Sequence, residues 1–480
     1  MGPDVALPWA VLLVVSAAAF LVTLDLFIVN VALPDIRSTF AGIGLASLSW
    51  VLNGYTVVFA ALLALAGRFA DRYGRRLVFL IGVAVFTVGS AACAAATSVP
   101  LLVAFRMLQA VGAALVLPTS LALLLASVPA ARRAIAVSTW AAVGGAAGAL
   151  GPPIGGLLVQ LSWRWIFLVN IPVGVLALVF GPRVLRETKE DASGVPDVLG
   201  AIGLVVGVGA LAWALVEAPE AGWSSKGVLL AFVVAAPALT WVVVRSTRHP
   251  APVLDLQALR VPAMWLACLA MLLFYTGFGS MLFGNVLFLT GMWHNSALIA
   301  GLSLSPGPVM VVLVSLTVGG RLARRFGPAP VATAGGILFA VGAAMWVWRA
   351  GPAPDYFGAI LPGQLCTGSG VGLVMPSLSG VMAAALPPDH WGTGASMINT
   401  SRQIGTVLGT AILVMIYGGA PTMDSFRHGW LFLAAAALAS AAASCAIAIR
   451  RPSPTDDVVP SSRPGRTVPG RGRSGRGRRG

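Results

Sequence analysis

The sequence predicts an all-α membrane protein with fourteen transmembrane helices, arranged as six, two and six, and with both termini cytoplasmic. Composition is the first reason. Hydrophobic residues make up 58% of the 480 residues and charged residues 10%, where a soluble domain carries roughly 25% charged. With a mean hydropathy of +0.90, the chain cannot clothe a water-facing surface. The second reason is a succession of apolar runs near the length, about 20 residues, that crosses a bilayer. The third is the gathering of Lys and Arg in alternate loops, which sets orientation.

From the N-terminus the first six runs are 9–33, 48–67, 77–96, 101–126, 135–158 and 166–181. The first is too long, and the residues before it too poor in Lys and Arg, for a cleavable signal. It is expected to remain as a membrane helix. The sixth is short unless Trp163 and Trp165 extend it as interfacial anchors. A stretch with seven charges follows at 182–197, then two apolar runs at 198–216 and 227–244, then a second charged connection. The last six runs are 261–289, 297–319, 330–348, 356–386, 395–417 and 429–449. The expected organisation is a six-helix bundle over 1–181, charged linkers flanking two inserted helices over 182–260, a second six-helix bundle over 261–449, and a tail over 450–480.

The loops after even-numbered spans hold fifteen Lys and Arg, and those after odd-numbered spans hold five. Even loops are therefore expected in the cytoplasm, although the loop after the twelfth span is empty of basic residues. An internal repeat supports the same layout. Gly67-Arg-Phe-Ala-Asp-Arg-Tyr-Gly74 follows the second span, and Gly320-Arg-Leu-Ala-Arg-Arg-Phe-Gly327 follows the tenth. A carrier built from two six-helix repeats would place the copies six spans apart. They lie eight apart, so two helices are inserted, most simply the seventh and eighth.

Several function classes fall away. Cys93, Cys268, Cys366 and Cys445 are far apart inside apolar runs, with no metal-like spacing. Neither Lys189 nor Lys226 follows a glycine, so there is no phosphate-cradling loop of the ATPase type. A His cluster, a paired-carboxylate site and a sizeable domain outside the membrane are all missing, which argues against an enzyme. The formal charge of +15 is mostly topological, with nine Arg and two Asp in 450–480 alone. No nucleic-acid partner is expected, and energy must come from a gradient.

Six strings then carry a resemblance. They are Leu24-Asp-Leu-Phe-Ile-Val-Asn-Val-Ala-Leu-Pro34, the segment from Gly67 to Arg76, Arg106-Met-Leu-Gln-Ala-Val-Gly112, Gly151-Pro-Pro-Ile-Gly-Gly156, Trp163-Arg-Trp-Ile-Phe-Leu-Val-Asn-Ile-Pro172 and Asn399-Thr-Ser-Arg-Gln403. In this order the chain resembles the major facilitator superfamily and, within it, the fourteen-helix drug:proton antiporters of the EmrB/QacA type. Phe27 stands where Thr is common in that group, and Ala110 replaces a Gly. The resemblance implies the major facilitator fold and a multi-pass protein of the plasma (inner) membrane. Its expected role is to export hydrophobic drugs or antibiotics in exchange for protons, as a monomer in the lipid bilayer and without a cofactor. The alternative on the same fold is a proton-coupled importer of a nutrient or metabolite.

Three charged residues lie within the predicted spans, Asp25, Arg106 and Arg402. A charge at mid-membrane costs about 2.5–3.5 kcal/mol on insertion scales, so each should face a partner or a cavity. Asp25 reads as a proton carrier, since burial raises a carboxyl pKa and a nearby Arg lowers it; the plainer reading is a structural hydrogen bond. Arg106 cannot deprotonate and would tune that carboxyl or hold a polar group, or else serve as a plain interhelical contact. Arg402 carries the same two readings.

Phe27, Asn30, Trp50, Asn53, Tyr55, Gln109, Asn399 and Arg402 are the expected substrate-cavity residues. Their aromatic members suit flat, greasy cations or polyketide-like compounds, or simply pack. Arg68, Asp71, Arg72, Arg75 and Arg76 form a charge cluster that topology alone would explain, except that Asp71 adds an acceptor able to pair with Arg or cap a helix. By resemblance the cluster is a latch between conformations. Gly151, Pro152, Pro153, Gly155 and Gly156 remove helix hydrogen bonds and admit a close neighbour; by resemblance they form a gate.

The Arg-, Gly-, Pro- and Ser-rich segment 452–480 is expected to be disordered. Deleting 450–480 should leave transport intact; loss of transport at normal membrane levels would contradict that.

Overall fold

The computed structural model describes residues 9–449 except 41, 130–131, 190–195, 251, 388–390 and 419–420. The expected tail at 450–480 lies outside the described residues. Fourteen long helical segments follow one another. The first six are α1 (Trp9–Thr39), α2 (Leu45–Tyr73), α3 (Arg75–Ala94), α4 (Val99–Ser127), α5 (Arg133–Val159) and α6 (Trp165–Val184). The next two are α7 (Val198–Ala221) and α8 (Lys226–Arg248). The last six are α9 (Pro262–Met292), α10 (Ala297–Phe326), α11 (Pro328–Arg349), α12 (Tyr356–Ala385), α13 (Trp391–Tyr417) and α14 (Met423–Ile449). Thirteen of these are long and apolar enough to cross a membrane. The remaining one, α13, has 27 residues but carries the polar run Asn399-Thr-Ser-Arg-Gln403. No strand occurs among the described residues.

The helices outrun their apolar runs. At 1.5 Å per residue, a 31-residue helix such as α1 spans roughly 46 Å, beyond the ~30 Å hydrocarbon core. By hydropathy, the two copies of the repeat follow the second and tenth apolar runs, outside the membrane. Both are nonetheless helical, forming the last turns of α2 and α10. Loss of hydrophobicity marks the exit from the membrane, whereas a helix ends only where its backbone is broken. Here the breaks are Gly74, at φ 113°, and Gly327, at φ 88°. Each is followed directly by the next helix, so the two copies of the sequence repeat end in the same way. The sixth segment begins at Trp165, as the interfacial tryptophans suggested.

Packing in the first six helices recurs eight helices later. The α1–α5, α3–α4, α2–α4, α3–α6 and α1–α6 contacts match α9–α13, α11–α12, α10–α12, α11–α14 and α9–α14. The two sets meet where α5 packs on α10, α2 on α13, and α1 on α9 and α10. A Cβ on Gly156 of α5 would come within 2.7 Å of Ala297 O, and one on Gly301 would strike Pro152 O. This contact lies at the end of the bundle remote from Gly74 and Gly327. The pair α7–α8 lies beside the seam, with α7 touching both α2 and α13.

The connection after α6 is fastened to the α2–α3 junction. Glu187 accepts from the backbone N–H of Arg76 (3.0 Å) and Leu77 (3.2 Å), capping the N-terminus of α3, where a carboxylate also suits the helix dipole. Arg75 N–H donates to Thr188 O at 3.0 Å. A side chain on Gly74 would need both a left-handed backbone and the space of the Glu187 carboxylate, 2.7 Å away. Strain of this kind costs about 1–3 kcal/mol. G74A should therefore lower the melting temperature of the detergent-purified protein. G67A, in a helical position with nothing within 4 Å, should hold or raise it.

Candidate functional site

The densest buried polar cluster lies inside the first six helices. Arg106 and Gln109 are three residues apart on α4 and therefore share a face, and this face meets Asp25 of α1. The guanidinium pairs with Asp25 Oδ2 at 2.5 Å and donates to Gln109 Oε1 at 2.6 Å and to the Val51 carbonyl of α2 at 3.2 Å. Gln109 Nε2 donates to Asp25 Oδ1 at 3.0 Å and to Ser90 Oγ of α3 at 2.7 Å. Asn170 of α6 completes the ring, donating to Ser90 Oγ at 3.2 Å and Asp25 Oδ1 at 3.4 Å. Asp25 is 0% exposed and Arg106 1%.

Local sequence makes this approach feasible. A Cβ on Gly89 would lie 2.8 Å from the Gln109 backbone. Only a glycine there lets α3 and α4 close far enough to seat Ser90 against Gln109. The Arg106 guanidinium also lies over the rings of Tyr55 (4.1 Å) and Phe167 (5.8 Å), contacts that favour a desolvated cation.

The remaining expected site residues are dispersed. Tyr55 is part of the Arg106 cluster and stacks on Phe59. Phe27 lies against α5, where Gly151 and Gly148 leave room for its ring, and Trp50 packs on the main apolar core. Asn30 and Asn399 donate to carbonyls of their own helices. Asn53 is buried with its side-chain nitrogen unpartnered. Arg402 of α13 stands 5.6 Å from the Tyr275 ring of α9, far along the chain from the Asp25 cluster. Gly155 admits Ile28 of α1 and Gly156 admits α10, while Pro152 and Pro153 lie within an unbroken α5.

The charge cluster near Gly74 also resolves into pairs. Asp71 accepts from Arg75 at 2.8 Å, and Arg76 lies 3.9 Å from Glu187. Arg72 sits over Tyr73 at 5.8 Å. The helix-capping role considered for Asp71 falls to Glu187. Arg68 feels the acids at the two ends of the α7–α8 pair. Burial pushes its guanidinium below the usual arginine range, while Asp255 and Asp197 pull it back up. Asp197 caps α7 through Gly200 N–H and pairs with Arg245 of α8 at 2.6 Å.

Sequence reasoning missed Ser90, Asn170, Glu187, Asp197 and Tyr275. Asn170 had a signal, being a polar residue within an apolar run. Ser90 had none, because serine is common in membrane helices. Among the described residues, no group of His, Cys, Asp and Glu could hold a metal ion.

The described residues thus form a multi-pass helical bundle with a charged pair sealed in its core. The chain matches the sequence profile described as Major Facilitator Superfamily over residues 15–410 and 267–474, and it belongs to that family. It is 35% identical over 419 residues to the methylenomycin A resistance protein of Bacillus subtilis (strain 168), covering 85% of this chain and 87% of that one. It is 33% identical over 425 residues to the tetracenomycin C resistance and export protein of Streptomyces glaucescens, covering 88% and 78%. The solved structure of a bacterial homolog of the human lysosomal transporter Spinster, inward-facing and unoccupied, superposes with a TM-score of 0.68 at 17% identity, covering 94% of this chain and 100% of that one. The POT family transporter PepTSo gives 0.66 at 17% identity, covering 92% and 98%. At these identities the two structures speak for the fold alone.

Removing one partner of a buried ion pair leaves an uncompensated charge and costs roughly 3–5 kcal/mol. D25N should therefore lower stability strongly, and D25N/R106Q should regain most of the loss. Strictly additive melting shifts in this double-mutant cycle would mean that the two side chains are not coupled.

Proposed function

We propose that this protein is a secondary active exporter of hydrophobic small molecules. It exchanges them for protons by alternating access, with Asp25 as the membrane-embedded proton carrier. The observation that carries the reading is the setting of the Asp25–Arg106 pair. A guanidinium held by a carboxylate alone would be left bare when that carboxylate is protonated. Arg106 keeps the Val51 carbonyl, Gln109 Oε1 and two aromatic faces, so its donors are not all stranded when Asp25 is protonated, and the uncompensated charge that remains favours a conformation that opens the site. Because Asp25 has no exposure in this conformation, loading and release require the helices to move.

In the proposed arrangement, fourteen spans form two six-helix bundles flanking the inserted α7–α8, both termini are cytoplasmic, and the protein acts as a monomer in the inner membrane. The positive-inside distribution supports this orientation. The Gly156–α10 contact and that of Gly301 with Pro152 and Pro153 would then form the external seal, with Gly151 and Gly155 giving α5 its close seating on α1. Asp71 and its neighbouring arginines would act as the cytoplasmic latch. The direction of transport is taken from relatives named for resistance and export. One proton moving through ~100 mV contributes about 2.3 kcal/mol, which sustains roughly a fortyfold gradient of a neutral substrate.

Inverted membrane vesicles test the coupling. With a panel of neutral, anionic and cationic aromatic compounds, transported members should dissipate an imposed pH gradient. D25N at matched membrane levels should abolish that dissipation while retaining substrate counterflow without a gradient. Full proton-linked export by D25N would overturn the assignment.

A further inference from the structure

The second charged site at mid-membrane differs from the first in having no counter-ion. From residue 261 to residue 449 the only acids are Asp355, Asp389 and Asp424. Asp355 caps the start of α12 and Asp424 lies in the first turn of α14, while Asp389 falls between α12 and α13. All three lie outside the apolar runs. On the proposed reading that α13 spans the membrane, Arg402 is inside it, within the run 395–417 and eleven residues into the 27-residue helix. Among the described residues it forms none of the ion pairs, and Asp25 is already committed to Arg106.

The imbalance reaches the hydrogen-bonding atoms, since Arg402 Nε is buried without an acceptor. Tyr275 offers Arg402 its ring and its hydroxyl oxygen, neutral contacts that leave the charge uncompensated, and its hydroxyl hydrogen goes to Met375 Sδ at 3.1 Å. The location is also suitable. α13 packs on α2 and α7, and α9 on α1, so the helices bearing Arg402 and Tyr275 are ones that meet the first six. Arg402 itself is only part-buried. A guanidinium at mid-membrane without a carboxylate is costly, and a surplus of donors calls for an acceptor.

We infer that Arg402, backed by Tyr275, is a substrate-binding residue that selects amphipathic compounds carrying a carboxylate or similar anionic group. This rests on the export reading and narrows its substrate class. The substrate would supply the missing counter-charge, its anionic head on the Arg402 fork and its apolar body among the aromatic and aliphatic side chains of the seam. Energetics favour the same class. Exchange of one monoanion for one proton moves two charges with the potential, enough at ~100 mV for roughly a 2,000-fold gradient, against roughly fortyfold for a neutral substrate.

The test uses three matched probes, pyrenebutyrate, pyrenebutanol and pyrenebutylammonium. Binding to the full-length protein in a neutral detergent is read by energy transfer from tryptophan to pyrene. Wild type should bind pyrenebutyrate about tenfold or more tightly than the other two, the value of a charge-assisted contact. R402Q should bring pyrenebutyrate down to the level of pyrenebutanol without changing pyrenebutanol itself, and R402K should keep most of the preference. Equal binding of the three probes by wild type, or an undiminished preference in R402Q, would overturn the inference. Should R402Q lose all binding through misfolding, the wild-type series and R402K decide. Anion preference without proton-linked efflux in vesicles would retain this site and remove the exchange mechanism. Proton-linked efflux without anion preference would do the reverse.

Discussion

A carboxylate and a guanidinium facing each other with almost no solvent contact are the constraint to which the first six helices are fitted. Neither charge is stable alone at that depth, so every helix near them contributes something to their neutralisation. α1 brings Asp25, α4 brings Arg106 and Gln109, α3 brings Ser90, α6 brings Asn170, and α2 contributes a backbone carbonyl and the Tyr55 ring. Such a network can exist only if the backbones come close, which is why Gly89 and Gly112 stand on the facing surfaces of α3 and α4. Small residues here serve electrostatics: they bring polar side chains within hydrogen-bonding distance in a medium that offers no other partners.

The second set of helices answers a different requirement. Its packing pairs repeat those of the first, yet it carries no acid within an apolar run. Shared architecture thus holds two unlike electrostatic environments, one balanced and one with an excess positive charge. Close approach across the seam is again made by glycine and backbone, at Gly156 and Gly301. Contacts of this kind are shape-dependent and carry no charge, so they can separate without stranding an ion. The pair α7–α8 is held by Asp197 and Arg245 to itself and by α7 to both sets, beside the surfaces where the two sets meet.

Much was legible in the sequence because the bilayer imposes simple rules. Asp25 and Arg106 could be singled out because charges are scarce in apolar runs, and Gln109 through the motif it shares with Arg106; the structure brings those three together. The repeat at Gly67 and Gly320 was legible as a pattern, but its secondary structure was not. Hydropathy registers where the chain leaves the hydrocarbon, while the helix continues for further turns until Gly74 or Gly327. Glu187 and Asp197 were hidden within a charged linker, where nothing in one dimension distinguishes a cap or a pair from a solvated charge.

By itself the sequence determined the number and order of apolar runs, the orientation expected from Lys and Arg, and the short inventory of charges that must be accommodated inside. Those are consequences of transfer free energy, which depends on residue type and run length alone. Only the tertiary structure decided which charges neutralise one another. It joined Asp25 to Arg106 across 81 positions, placed Asn170 and Ser90 beside them, and left Arg402 facing Tyr275 without an acid. Pairing depends on distance between helices, and that distance is set by the packing of small residues at interfaces formed only when the helices assemble.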